Sequence, residues 1–244
     1  MFFYNTPYGL YGVLSMKKLI PIYGVALIAF VLITVATNHA VTTFHQTAPI
    51  PDRFCVIIDA GHGGEDGGAT SCTGVLESQT NLQISLRLED MLHLLGIQTK
   101  MIRTTDRSIY TTGSTISARK MSDLKERVRI VNETDNAVLI SIHQNTFSDS
   151  FYNGAQVFYN AKGEAEALAN NLQKNFVGYL NPGSKRKAKH ADKIYLMEHT
   201  NTTGVLIECG FISNPKEAML LNSEMYQKSV SALIAVTIST FLYT

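Results

Sequence analysis

Apolar residues follow two patterns along most of this chain. Short apolar runs predict strands at 55–58, 97–103, 137–142, 155–159, 194–197 and 205–209. Between these runs, apolar residues three or four positions apart predict helices near 82–95, 124–131, 165–176 and 226–241. Gly96 is placed to end the first helix. The alternation predicts an α/β fold in three layers, with helices on both faces of a mainly parallel sheet.

Residues 1–36 depart from this pattern. Lys17 and Lys18 precede an uncharged, mainly apolar stretch at 19–36, which as a helix would be about 27 Å long and close to the thickness of a bilayer core. We interpret it as a membrane anchor; a cleaved signal peptide is the alternative, although the run is long for one and lacks a clear cleavage site. Both interpretations place the following residues outside the cytoplasm, because positive flanks stay inside. A buried helix of a soluble domain fits less well, since the stretch has no amphipathic face.

Composition limits the remaining possibilities. Residues 37–53 are polar, with two prolines near the end, and predict a linker before one folded domain at 54–244. The chain has 21 Lys and Arg against 20 Asp and Glu, a net charge of +1, which is too balanced for a nucleic-acid-binding protein. Its 3 cysteines allow at most one disulfide, so a disulfide framework is excluded.

Polar side chains stand at the ends of three predicted strands, where sites form in folds of this class. His62 follows the first strand, His143 follows the run at 137–142, and Glu208 ends the apolar part of the last strand. Glu77, just before the first long helix, adds a second carboxylate. Two histidines and one glutamate, with an open position for water, are a recurring ligand set of hydrolytic zinc, and the other glutamate can serve as general base.

Spacing alone leaves this metal site as one interpretation, because a histidine after a strand is often a hydrogen-bonded structural residue. Five glycines between 61 and 68 surround His62 and favour a site, since a backbone without Cβ atoms lets a bulky substrate approach closely. A flexible turn is the alternative. A phosphate-binding loop fits badly, because the Gly-Lys-Ser/Thr ending and the Rossmann glycine spacing are missing.

Several motifs occur in a characteristic order. The first is Asp-Ala-Gly-His-Gly-Gly at 59–64, followed by Gly68 and Ala69. The later ones are residues 74–77 with 81–82, Arg103 with Asp106, residues 141–145, and residues 206–215. Together they resemble the zinc amidases that hydrolyse N-acetylmuramoyl-L-alanine. The resemblance covers residues 54–244 and implies a twisted, six-stranded sheet flanked by helices.

This resemblance implies roles for individual residues. It implies that His62, Glu77 and His143 bind one Zn²⁺ and that Glu208 is the catalytic carboxylate. The implied reaction cleaves the amide between the lactyl group of N-acetylmuramic acid and L-alanine of the stem peptide in peptidoglycan. Arg127 matches an arginine common in the family, and with Asn145 it is expected to bind substrate.

Some features are similar to the spore-cortex, CwlD-like branch of the family: residues 122–124, 143–145 and 154–159, and an N-terminal membrane segment without wall-binding repeats. The branch implies a role in making muramic δ-lactam in the cortex, linked to germination and to a peptidoglycan deacetylase, with an activating protein as a possible partner. It also implies a place on the outer face of the cytoplasmic membrane, or secretion; in a sporulating cell this is the space between the forespore membranes.

Two other functions compete with this one. A zinc peptidase acting on stem peptides would use the same ligand set, and a catalytically silent wall-binding protein is disfavoured because all four site residues are intact. The basic loop at 184–193, with Lys185, Arg186, Lys187, Lys189 and Lys193, is most often a solvated segment in proteins. Contact with peptidoglycan carboxylates or another anionic surface is the alternative.

Overall fold

The structure, a computed structural model, describes residues 54–243. Its strands are β1 (Cys55–Ala60), β2 (Gln98–Met101), β3 (Ala137–Asn145), β4 (Gln156–Tyr159), β5 (Lys189–His190) and β6 (Thr203–Phe211). Its α-helices are α1 (Glu77–Leu94), α2 (Ile116–Asn132), α3 (Ala165–Asn175), α4 (Tyr195–His199), α5 (Pro215–Leu221) and α6 (Glu224–Tyr243). A π-helical turn, Phe176–Leu180, continues α3.

The six strands form one sheet in the order β2-β1-β3-β6-β4-β5. Strands β2, β1, β3 and β6 are mutually parallel, whereas β4 pairs antiparallel with β6 and parallel with β5. The prediction of a mainly parallel, six-stranded sheet is therefore confirmed. Because β4 and β5 run the opposite way, the loops that precede them lie at the same edge as the loops that follow the parallel strands.

Two apolar clusters, one on each face of the sheet, make the fold three-layered. On one face, Ile58, Ile140 and Ile207 pack against α1, α3 and α6, in a cluster whose helical members include Leu88 and Val230. Alternate strand residues on the other face pack against α2 and α4. Successive strand residues point to opposite faces, so the sheet is covered on both sides, as the continuous apolar runs of its strands predicted.

Three local predictions need correction or extension. Residues 194–197, predicted as a strand, belong mainly to the short helix α4. Leu196 and Met197 are both buried in the same cluster, which two consecutive strand residues cannot achieve because they face opposite sides. Within the predicted basic loop, Lys189–His190 adds the edge strand β5. Helix α5 was not predicted, although Asn214 caps its first turn and Pro215 occupies the first helical position.

The predicted anchor at 1–36 and the linker at 37–53 lie outside the described residues, and the domain boundaries stay predictions. Across residues 54–243, no helix combines the length and apolar character that crossing a bilayer requires.

Candidate metal centre and catalytic carboxylate

The parallel strands bring the predicted site residues to one edge of the sheet. His143 and Glu208 are direct neighbours in the pairing of β3 with β6, His62 lies two residues beyond the end of β1, and Glu77 is the first residue of α1. One ligand atom from each of His62, Glu77 and His143 lies within 4.8 Å of the others. These three side chains, predicted from separate segments, form a compact group that could hold a metal ion.

Glu77 stands between the two imidazoles. Its Oε1 lies 3.3 Å from Nε2 of His62 and 3.0 Å from Nδ1 of His143, and it also accepts a hydrogen bond from the amide of Gln144 at 3.1 Å. Its Oε2 accepts a hydrogen bond from the amide of Ala69 at 3.0 Å. Burial raises the pKa of the Glu77 carboxyl, but hydrogen bonds and charges from the two histidines outweigh it and hold the pKa far below its usual range. Glu77 is therefore ionised, as a metal ligand must be.

His62 is oriented by a carboxylate that sequence analysis did not single out. Asp66 Oδ2 lies 2.8 Å from Nδ1 of His62, which leaves Nε2 directed towards Glu77. Burial lowers the pKa of His62, but Asp66 and Glu77 overcome this effect and raise it to about 9. The same negative surroundings would stabilise a divalent cation in place of that proton. A carboxylate on the far nitrogen of a histidine ligand is a common outer-shell partner in zinc sites.

Two of the glycines around His62 have a use that was not predicted, while the predicted close approach of a bulky substrate stays a prediction. A Cβ on Gly61 would lie 2.2 Å from Nε2 of His143, and one on Gly68 would lie 2.6 Å from Oε2 of Glu77. Gly68 also has a positive φ of 67°, which glycine adopts without the penalty of other residues. At these two positions, glycine makes room for the candidate ligands themselves.

Two buried arginines hold the backbone that carries His62. Arg103 donates hydrogen bonds to the carbonyl oxygens of Ala60 at 2.7 Å and Gly61 at 3.0 Å, and Arg127 donates one to the carbonyl oxygen of His62 at 2.8 Å. His62 has a φ of 62°, a conformation that costs energy in a non-glycine residue and persists only where the surroundings enforce it. We call Arg103 and Arg127 the arginine clamp.

Arg127 makes its remaining contacts with protein groups. Its guanidinium donates to Asp59 at 2.5 Å and to Asp123 at 2.6 Å, and the side chain is buried. Burial raises the pKa of Asp59, but the charges of Arg127 and His143 and a hydrogen bond from Ser141 hold it below its usual value. These contacts favour a positioning role for Arg127; its predicted contact with substrate stays a prediction.

Asn145, the other residue predicted to bind substrate, is the last residue of β3 and is half-buried. Its carbonyl oxygen accepts a hydrogen bond from the amide of Ile212 at 2.9 Å. This contact joins the ends of β3 and β6 beside the site, and the role of the Asn145 side chain also stays a prediction.

Glu208 differs from the other site residues because one of its carboxylate oxygens has no hydrogen-bond partner among the described residues. Within residues 54–243, its Oε2 is buried and has no hydrogen-bond partner. Burial raises the pKa of Glu208 to about 7; His143 and His62 oppose the rise, and the negative charge of Glu77 adds to it. A half-buried carboxylate with one buried, free oxygen and a pKa near neutrality suits a general base.

Cys209 and His93 do not belong to the group of candidate ligands. Cys209 is buried in the apolar cluster on the opposite face of the sheet, and burial raises the pKa of its thiol strongly, so it is not a nucleophile at neutral pH. His93 is exposed on α1 and hydrogen-bonds to Thr99.

Two grooves lie next to the candidate ligands and Glu208. A groove of about 330 Å³ lies between α2 and α4 and reaches His62 and His143. A wider groove of about 610 Å³ lies at the N-terminal end of β4 and is lined by Phe151, Tyr152 and the cationic side chains of residues 185–187 and 189. We call the second one the basic groove.

The sequence and the fold were compared with known proteins. Residues 56–240 match the Amidase_3 family model, described as N-acetylmuramoyl-L-alanine amidase. The germination-specific N-acetylmuramoyl-L-alanine amidase of Bacillus subtilis (strain 168) is 38% identical over 181 residues, which cover 73% of this chain and 76% of that protein. The CwlD amidase from Clostridioides difficile, solved in complex with the GerS lipoprotein, superposes with a TM-score of 0.74 at 34% identity, over 78% of this chain and 98% of that chain. An N-acetylmuramoyl-L-alanine amidase from Clostridium difficile 630 gives a TM-score of 0.69 at 28% identity, over 79% and 98% of the two chains.

Proposed function

The chain belongs to the N-acetylmuramoyl-L-alanine amidase family, and from that premise we propose that it is a zinc-dependent hydrolase of the amide between the lactyl group of N-acetylmuramic acid and L-alanine. The substrate is peptidoglycan. The observation that carries the proposal is the buried, unpartnered oxygen of Glu208 beside the group of His62, Glu77 and His143.

The three candidate ligands fit zinc by their chemistry. Two imidazole nitrogens and one ionised carboxylate are a known set in catalytic zinc sites, where a fourth position stays open. Asp66 on His62 and the amide of Gln144 on Glu77 supply the outer-shell hydrogen bonds that orient such ligands. Zinc bound there would act as a Lewis acid on the carbonyl group and lower the pKa of water from about 15.7 to about 7.

Glu208 is assigned the proton transfers. Its free Oε2 is available to accept a proton from the attacking water, and the raised pKa near 7 lets the carboxyl group release that proton again at neutral pH. The acceptor is the nitrogen of L-alanine, which leaves as an amine when the amide breaks. The pairing of Glu208 with His143 across two strands keeps the base next to the candidate ligands through both transfers.

Product analysis tests the assignment of the bond. Purified peptidoglycan digested with the zinc-loaded chain should release intact stem peptides that begin with L-alanine, detected by mass spectrometry. Fragments cut within the stem peptide would identify a zinc peptidase instead, and an undigested glycan–peptide would favour a wall-binding protein.

A role in the spore cortex is the finer part of the proposal. It is supported by the similarity to the germination-specific amidase of Bacillus subtilis and to CwlD. We propose that the chain acts with a peptidoglycan deacetylase in forming muramic δ-lactam, and that a lipoprotein comparable to GerS activates it. Deletion should give spores whose cortex lacks muramic δ-lactam; a normal δ-lactam content would assign the enzyme to vegetative wall turnover.

We further propose that the catalytic domain works outside the cytoplasm, because peptidoglycan is found there and because Lys17 and Lys18 precede the apolar stretch at 19–36. A reporter fused after Thr244 that folds only outside the cytoplasm should be active. An active fusion of a reporter that folds only in the cytoplasm would contradict this orientation.

A further inference from the structure

The basic groove begins one strand away from Glu208 in the sheet. In the strand pairing, His143 is opposite Glu208, and Glu208 is opposite Gln156, which lines the floor of the basic groove. Residues opposite one another in neighbouring strands are about 4.5–5.5 Å apart, so the groove begins about 10 Å from His143. It therefore lies on the far side of Glu208 from the candidate ligands.

Hydrogen bonds hold the basic loop against this floor. The buried side chain of Gln156 donates to the carbonyl oxygen of Lys187 at 2.6 Å and accepts from Nη1 of Arg186 at 3.4 Å. Arg186 also donates from Nε to the carbonyl oxygen of Asn153 at 2.9 Å, and its guanidinium lies 4.8 Å from the centre of the Phe211 ring. Arg186 thus contacts Asn153, Phe211 and Gln156 at once. The loop has an anchored backbone, unlike a purely solvated segment.

The groove surface is cationic and partly aromatic. Lys185, Lys187 and Lys189 are exposed and form no ion pair with the described part of the chain. Phe151 is 86% exposed and Tyr152 is 47% exposed. Among the described residues that line the groove, none is acidic. Unpaired cations beside open aromatic faces suit an extended ligand that carries carboxylates and short apolar groups.

We propose that the basic groove binds the stem peptide of the substrate, with the three lysines paired to its free carboxylates. This assignment rests on the proposed amidase function, because only then does a peptide extend from the bond beside Glu208. An extended peptide advances about 3.3–3.6 Å per residue, so a groove that begins about 10 Å from His143 receives the second and third stem residues. Those residues carry the free carboxylates, whereas the N-acetylated glycan is uncharged, and charge complementarity therefore assigns this groove to the peptide.

The test uses the full-length, zinc-loaded chain and two soluble probes. One is N-acetylmuramoyl-L-Ala-γ-D-Glu-diaminopimelate, and the other is the same molecule with its free carboxylates amidated. The variant carries Lys185→Gln, Lys187→Gln and Lys189→Gln; the control carries Lys125→Gln, Lys162→Gln and Lys174→Gln, three exposed lysines outside the groove. Both variants lose the same charge.

For the acidic probe, we expect KM to rise about tenfold in the groove variant with kcat within about twofold, since each exposed ion pair contributes modestly. The control should match the parent. For the amidated probe, all three proteins should have similar KM values. Equal KM values for the acidic probe in the groove and control variants would overturn the proposal.

Binding without turnover separates this inference from the proposed function. Calorimetric titration of the acidic probe into each protein combined with Glu208→Gln should show about tenfold weaker binding only when the groove lysines are replaced. If the parent cleaves neither probe while binding depends on these lysines, the amidase proposal fails, and the groove is shown only to bind the acidic peptide. If the parent cleaves the probes and the affinity for the acidic probe is the same with and without the lysines, only the groove assignment fails.

Discussion

The candidate metal centre and the basic groove are built in opposite ways at the same edge of the sheet. At the candidate metal centre, Glu77 is 4% exposed and both of its oxygens accept hydrogen bonds. The backbone of residues 60–62 is held by Arg103 and Arg127. In the basic groove, the lysines are exposed and free of ion pairs with the described residues, and only the backbone and Arg186 are anchored.

This difference corresponds to the two roles that we propose for the two regions, catalysis and recognition of the peptide. Buried ligands and a strained backbone need many partners to hold one geometry, so changes there should abolish function or destabilise the fold. Exposed cations recognise a flexible, charged ligand through interactions that water and salt weaken. Changes in the groove should therefore be graded and should affect KM rather than kcat.

Loss of a ligand should give the largest effect. His143→Ala removes one of three candidate ligands, and we expect both zinc content and amide cleavage to fall to background, because two remaining ligands leave the site too open. Zinc is measured by atomic emission on the purified protein. His93→Ala, which removes an exposed imidazole elsewhere, is the control and should keep both. Stoichiometric zinc in the His143 variant would show that the assignment is wrong.

Glu208→Gln should give the second-largest effect, because it keeps the shape of the side chain but removes its basicity. General acid–base catalysis contributes about 10²- to 10⁴-fold, so turnover should fall by that factor while zinc content and Tm stay near those of the parent. Glu164→Gln, at an exposed glutamate, should have no effect. A folded, zinc-loaded Glu208 variant that cleaves within about tenfold of the parent would exclude the role of general base.

The third prediction concerns the arginine clamp. Arg127→Met leaves Asp59 and Asp123 without their buried partner, and removing one member of a buried ion pair costs about 3–5 kcal/mol. We expect a matching drop in the free energy of unfolding, measured with denaturant, together with weaker zinc binding because the His62 backbone loses a donor. Arg129→Met, on the exposed side of the same helix, should change stability little. Unchanged stability in the Arg127 variant would refute the clamp.

The same contrast explains how far the sequence could predict the site. His62, His143 and Glu208 were predicted from the rule that sites form at the carboxyl ends of parallel strands, because apolar runs precede them in the sequence. In the structure, β3 continues two residues beyond His143 and β6 continues three residues beyond Glu208. Asp66 and the arginine clamp act through the backbone or a second side chain, and the sequence contains no periodicity that indicates such contacts. An acidic residue four positions after a candidate histidine ligand was the available signal for Asp66.

The cationic character of the basic groove could be predicted from the sequence, but its position in the fold could not. The cationic run at 184–193 is obvious in the sequence, but its place depends on the direction of β4 and β5. In an all-parallel sheet, loops that precede strands lie at the edge opposite the site. Here, β4 and β5 run antiparallel to β6, and the loop reaches Gln156 at the same edge as the candidate site. A short apolar run such as 155–159 does not indicate whether the strand will run parallel or antiparallel to its neighbour.

The smallest expected effect is a dependence on salt that only the groove produces. The Debye length falls from about 10 Å at 0.1 M ionic strength to about 3 Å at 1 M, so added NaCl should screen the exposed lysines but not the buried candidate ligands. Between these concentrations we expect KM of the parent for the acidic muropeptide to rise several-fold, while kcat and zinc content stay constant. In the variant lacking Lys185, Lys187 and Lys189, KM should already be high and should change little with salt, because the charges to be screened are gone. Steady-state kinetics at four salt concentrations measure both slopes. Parallel slopes for parent and variant would place the electrostatic contribution elsewhere and remove the distinction between the two regions.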